Sequence, residues 1–141
     1  MPTVRIVLDT NVLVSALITR DTPPDQLYRA WLQGEFELLT SRAQIAELSA
    51  VLARPRLRPY INLQEADIIS EHLDTRATIV RFPGPVTLSI DPADNAILAA
   101  AIAGGAELVV SGDRRHLLTL GEAEGIPIVS PKAALERLED A

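Results

Sequence analysis

The chain has 141 residues, which suits one domain around one core and leaves little room for a second. Hydrophobic residues make up 48% and charged residues 23%, a composition that excludes a disordered or fibrous chain. The lack of cysteine excludes disulfides, thiolate metal sites and cysteine nucleophiles, and the formal net charge of −6 argues mildly against binding nucleic acid through bulk charge. Acidic residues gathered at a metal site would lower that total yet still serve a phosphate substrate through bound cations.

No apolar run reaches the roughly 18 residues a spanning helix needs, so no membrane association is expected. The opening "MPTVRIVLD" is strand-like and lacks the long apolar stretch of a signal peptide; the expectation is a cytoplasmic protein.

Val4 to Leu8 is β-branched and apolar and predicts a buried strand. Asn11 to Ile18 is apolar and is strand or helix by pattern alone. "RDTPPDQ" (Arg20 to Gln26) breaks the chain, after which Asp25 caps a short helix to Leu32 that Gly34 ends. Phe36 to Thr40 is a short strand. Ser41 and Gln44 match a capping box opening a helix from Arg42 to Ala53, with Ile45, Leu48 and Leu52 on its inner face. Arg54 to Tyr60 is a proline-broken basic loop. Asn62 and Glu65 form a second capping box, for a helix to Thr75, and Ala77 to Phe82 is a strand that "PGP" closes.

"DPADNAILAAAIAGG" (Asp91 to Gly105) gives the clearest helix: an acidic cap, Pro92 at the first helical position and paired glycines at the end. Glu107 to Ser111 is a strand, "RRHLLTLG" a short helix ending at Gly121, Ile126 to Ser130 a last strand, and Pro131 starts a final helix. Strands alternating with helices over residues 1–141 predict a single α/β domain. Its central, mostly parallel sheet carries helices on both faces, in three layers.

In such sheets, sites form at the carboxyl ends of strands. Asp9 falls at the end of the first strand and Asp113 just past the end of "ELVVS"; Asp94 lies in the first turn of the Asp91 helix and Glu47 lies mid-helix. Each acid has a plain structural role to weigh. Asp91 reads first as a helix cap, Asp94 complements a helix dipole, Glu47 fits a solvated helix face, and Asp113 after Gly112 fits a turn. Asp9 is the hardest to set aside, because a carboxylate between two apolar runs is costly to bury unpaired. Carboxylates brought together raise one another's pKa values, and a divalent cation removes that conflict. With oxygen ligands alone, Mg²⁺ or Mn²⁺ is the natural occupant, suited to hydrolysis of a phosphodiester.

"IVLDTNVLVSAL", Glu47 in "IAELSAVL", "DPADNAILAAAI" and "LVVSGDRRHLL" resemble, in order, the motifs of PIN-domain nucleases, over Val4 to about Val129. The chain is most similar to bacterial PIN proteins of type II toxin–antitoxin systems. The resemblance implies a three-layer α/β/α fold and a Mg²⁺- or Mn²⁺-dependent endoribonuclease leaving a 5′-phosphate and a 3′-hydroxyl. It places the family's four acids on Asp9, Glu47, Asp94 and Asp113. Asp9, Asp94 and Asp113 are then metal ligands, and Glu47 a ligand or a base positioning the attacking water. Asn11 and Ser111 orient the acids or the water, and Asp91 stays open between cap and supporting carboxylate. The resemblance also implies an RNA substrate, an antitoxin that covers the crevice, and a homodimer.

Arg114 and Arg115, beside Asp113, are placed to meet a substrate phosphate. Arg54, Arg56 and Arg58 with Tyr60 read as a solvated loop before an RNA grip. His72 reads as helix surface, and Trp31 with Tyr28 as core or interface. The alternative to an enzyme is a catalytically silent PIN-fold module binding nucleic acid or protein; all four acid positions being filled favours the enzyme. A phosphoryl-transfer receiver ranks last, because "LDTN" is not an acid pair and the sole lysine is Lys132.

Overall fold

The computed structural model describes residues 3–81, 84–85, 87–88, 91–113 and 117–140. Strand β1 (Arg5–Leu8) runs between β2 (Glu37–Thr40) and β4 (Leu108–Val110), parallel to both. Beyond β2 lies β3 (Thr78–Ile79), and beyond β4 lies β6 (Ile126–Val129), also parallel. A sixth strand, β5 (Glu122–Ala123), pairs antiparallel with β6 and closes that edge, giving the order β3-β2-β1-β4-β6-β5.

The strands are apolar on both sides because both faces are covered, as in parallel sheets generally. Ile6, Leu8, Leu38, Leu108 and Val110 pack into one core with helices α1 (Thr10–Ile18), α2 (Pro23–Leu32), α3 (Arg42–Leu52), α4 (Leu63–Arg76) and α7 (Pro131–Glu139). Val7, Leu39, Val109 and Ile128 point the other way, into a second core with α5 (Pro92–Gly104) and α6 (Leu117–Leu120). The three-layer architecture expected from the strand–helix alternation is therefore present. Among the described residues no helix is long and apolar enough to cross a membrane.

Several local signals acted as read. Asn62 and Glu65 form both hydrogen bonds of a capping box at α4. Asp91 Oδ1 accepts from the Ala93 amide at 2.9 Å, Pro92 opens α5, and Gly105 ends it in the left-handed region at φ 68°. The apolar run after Asp9, ambiguous by pattern, is helix α1.

Other signals were overridden. Helix α2 starts at Pro23, not after Asp25: both prolines sit in the first turn, where missing N–H groups cost nothing. Thr22 is its N-cap, and Asp25 instead accepts the Asp21 amide and pairs with Arg29. Strand β5 went unread because two residues carry no periodicity; the Glu124-Gly125 turn, with φ of 48° and 82°, makes the hairpin. The strand expected from Ala77 to Phe82 is reduced to Thr78–Ile79, and Phe82 and Pro83 lie outside the described residues. The basic loop contains a short 3₁₀ turn, Pro55–Leu57, with Leu57 buried; Arg54 and Arg56 are exposed and Arg58 is half-buried. His72 is likewise half-buried, hydrogen-bonded through Nδ1 to Tyr28 Oη at 2.7 Å, which joins α4 to α2. Trp31 and Tyr28 belong to the first core.

Helix α5 lies close over the sheet because its inner face is small: Ala100 and Ala101 are buried beside Ile97 and Leu98. Its last residue is the tightest point. A Cβ on Gly104 would stand 2.8 Å from both Leu39 Cδ1 and Val80 Cγ2. Alanine favours a helix over glycine by about 1 kcal/mol, but overpacking a core costs about 1–3 kcal/mol. Gly104→Ala is therefore expected to destabilise the protein by about 1 kcal/mol, read as a lower urea midpoint with unchanged slope; a raised midpoint would show that α5 can lift freely.

Candidate active site

The chain builds β1, β2 and β3 outward on one side, then returns to place β4 on the other side of β1. The carboxyl ends of β1 and β4 therefore flank a topological switch point, where open α/β sheets form their crevice. Asp9 leaves β1 at that point. Its amide donates to the Val110 carbonyl at 2.8 Å, and its own carbonyl accepts from the Val12 amide, starting α1. Asp9 holds the N-cap position of α1, yet its side chain makes no capping hydrogen bond. The carboxylate turns instead to the residue just past β4, where Ser111 Oγ donates to Oδ2 at 2.9 Å. Ser111 is fully buried, and its Oγ also accepts from the Asp113 amide at 3.0 Å. One hydroxyl thus ties Asp9 to the backbone that carries Asp113.

Asp9 is 6% exposed and Asp94 is 5% exposed. Burial pushes the Asp9 carboxyl up from an ordinary 3.8 to about 6. The Ser111 hydrogen bond opposes this rise, the Asp94 charge adds to it, the Thr10 amide opposes it, and the Glu47 charge adds a little more. Asp94, from the first turn of α5, and Glu47, from α3, therefore lie close enough for their charges to act on Asp9. Asp9 is thus linked to Asp94 and Glu47 by charge, and through the Ser111 hydroxyl to the backbone of Asp113.

The outer residues line a depression of about 230 Å³ formed by Asn11, Val12, Ser15, Pro24, Gly112, Asp113 and Pro131. Asn11 is exposed there, within reach of whatever enters beside Asp113. Asp91 acts as the α5 cap, the plainer of its two readings. Arg114 and Arg115, expected to meet a phosphate, lie outside the described residues, as does His116.

Among the described residues no group of three or more His, Asp or Glu side chains stands at metal-holding spacing. The donor set still fits a hard divalent cation: it is all oxygen, the Asp9 carboxylate is buried with the Asp94 and Glu47 charges acting on it, and next to Asp9 the buried Thr10 Oγ1 has no hydrogen-bond partner among the described residues.

Gln44 and Thr40 went unrecognised as part of this region. Ser41 Oγ does cap α3, accepting from the Gln44 amide at 3.2 Å, but the Gln44 side chain does not return to Ser41. It crosses to the Leu8 carbonyl, 36 residues back in the chain. No local pattern encodes a contact of that span.

The raised carboxyl of Asp9 makes stability depend on pH with a definite sign. The folded state holds the proton more tightly than the unfolded chain, so the benefit is full below pH 3.8 and is lost as pH rises through about 6. The difference amounts to on the order of 3 kcal/mol. In metal-free buffer Asp9→Asn is expected to stabilise the protein by up to about 3 kcal/mol at pH 7.5 and to make no difference near pH 3.5, measured by urea unfolding at both. A variant equal to wild type at pH 7.5 would mean that ionised Asp9 is well solvated.

No curated protein matches this sequence. Solved structures do share its fold. FitAcB from Neisseria gonorrhoeae aligns over 90% of this chain and 98% of its own, at 21% identity and a TM-score of 0.52. VapBC2 from Rickettsia felis, solved bound to a DNA fragment from its promoter, aligns over 89% of this chain and 98% of its own, at 17% identity and a TM-score of 0.59. PAE2754 from Pyrobaculum aerophilum covers 99% of this chain and 97% of its own, at 14% identity and a TM-score of 0.60. The family model of the PIN domain matches residues 5–115, which include all four acids. With the parallel sheet and an acid at the switch point, that match identifies the chain as a member of the PIN-domain family.

Proposed function

We propose that this PIN domain is a metal-dependent endoribonuclease whose site is the crevice of Asp9, Glu47, Asp94 and Asp113. One observation carries the reading: a carboxylate buried to 6% exposure at the switch point, turned away from the capping job its position offers, and repelled by Asp94 and Glu47. A fold keeps such an arrangement at a cost to stability, and sites that oppose folding are characteristically functional.

Asp9, Asp94 and Asp113, with Glu47, would hold Mg²⁺ or Mn²⁺. When bound, the cation neutralises charge gathering on the scissile phosphate and lowers the pKa of water. Ser111 holds Asp9 in one orientation through Oγ. Glu47, less buried than Asp9 and Asp94, completes the set or accepts a proton from the attacking water. Asn11, exposed at the rim, orients the substrate or that water. The resemblance to PIN proteins of type II toxin–antitoxin systems supports a toxin role, with an antitoxin covering the crevice. The fold shared with VapBC2 is consistent with it.

The test is cleavage of RNA oligonucleotides in Mg²⁺ or Mn²⁺, with a matched DNA strand beside them. Wild type is expected to leave 5′-phosphate ends and to stop in EDTA. Asp94→Asn and Asp113→Asn are expected to lose about 100-fold or more in rate, at the low end of what a directly acting group contributes. Cleavage surviving both EDTA and Asp94→Asn would remove the mechanism; a folded wild type that binds RNA without cutting would make the domain a silent binding module.

A further inference from the structure

Gln44 is a polar side chain at 2% exposure, and both ends of its amide are used. Nε2 donates to the Leu8 carbonyl at 2.6 Å, and Oε1 accepts from Thr40 Oγ1 at 2.7 Å. The carbonyl can only accept, which fixes the orientation of the amide. The peptide linking Leu8 to Asp9 is thereby held from both sides, its carbonyl by Gln44 on α3 and its N–H by Val110 on β4. Glu47 follows Gln44 by three residues, on the same side of α3. Thr40 ends β2, so the one amide joins β1, β2 and α3 where the first two acids emerge.

A side chain that only filled this space could be apolar. Leucine or methionine would bury well but would let α3 slide or turn by small amounts, because hydrophobic contact has no direction. Hydrogen bonds fix distance and angle together. Beside the apolar contacts of the shared core, Gln44 therefore ties α3 to the end of β1 with a fixed distance and direction.

We propose that Gln44 is a positioning residue: its amide locks α3 onto the end of β1 and so sets the separation of Asp9 from Glu47 in the crevice. The proposal rests on reading that crevice as a metal-dependent nuclease site. It assigns to Gln44 neither substrate contact nor metal ligation.

The test compares wild type with Gln44→Met, which keeps length and loses both hydrogen bonds, and Gln44→Glu, which keeps the acceptor for Thr40 and, when ionised, offers the Leu8 carbonyl no donor. Leu73→Ala, in the fully buried part of α4, controls for lost stability elsewhere. The readouts are Mn²⁺ affinity from the electron paramagnetic resonance of the free ion, kcat and KM on RNA, and hydrogen exchange at the Asp9 amide relative to Val109. Both Gln44 variants are expected to bind Mn²⁺ about 10–100-fold more weakly, the loss typical when a residue orienting a metal ligand is removed. They are also expected to lose kcat at unchanged KM and to exchange the Asp9 amide faster, while Leu73→Ala changes none of these. Wild-type Mn²⁺ affinity and Asp9 exchange in either Gln44 variant overturn the proposal, as does an equal loss in Leu73→Ala. Should the Gln44 variants not fold, Thr40→Val loosens the same amide more gently; it is expected to show the same losses in smaller measure, and wild-type behaviour overturns the proposal. If wild type itself neither binds Mn²⁺ nor cleaves RNA, the proposed function falls, and the Asp9 exchange in the variants alone decides the positioning claim.

Discussion

Burying the Asp9 carboxylate opposes folding, and the chain meets that cost by arranging donors around it. Ser111 Oγ reaches across from just past the end of β4, the Thr10 amide assists, and the Asp9 amide itself bonds to Val110. These contacts come from both strand ends of the switch point, so the acid is held only when β1 and β4 are paired. The same pairing carries Asp113 into place, because the hydroxyl that serves Asp9 also receives the Asp113 amide.

The two faces of the sheet contribute differently. One carries five helices and most of the large aliphatic core. The other is covered mainly by α5, whose alanine-rich face lets it approach closely. Close approach has a consequence beyond packing: the first turn of α5 brings Asp94 to the mouth of β1, within range to repel Asp9. A bulkier helix face would hold Asp94 farther off. Core composition on one side thus sets charge spacing at the end of the sheet.

The acids come from four elements: the end of β1, the middle of α3, the first turn of α5 and the residues past β4. Like charges from independent elements disperse unless something rigid opposes them. Ser111 supplies that rigidity between β1 and β4, and Gln44 between β1 and α3. Both are uncharged and buried, where hydrogen bonds are stronger than in water. A divalent cation would complete the set by giving the four acids a common partner.

Much of this was legible in residue order. The β-branched run before Asp9, the proline and glycines bounding α5 and the capping box of α4 are each short-range, and each formed where expected. Strand–helix alternation gave the layered parallel sheet, and the motifs in family order gave the family. What misled was local grammar that longer-range partners could outbid. Gln44 matched a cap partner and went to Leu8 instead; His72 sat in an ordinary helix and met Tyr28 from α2. Asp9 occupied a cap position and turned its carboxylate to Ser111, 102 residues away. Residue order determined the elements, because helices, caps and turns are decided by neighbours a few positions apart. Which partners Asp9 and Gln44 take was decided only by tertiary structure, because those bonds join atoms that approach one another only after the sheet has formed.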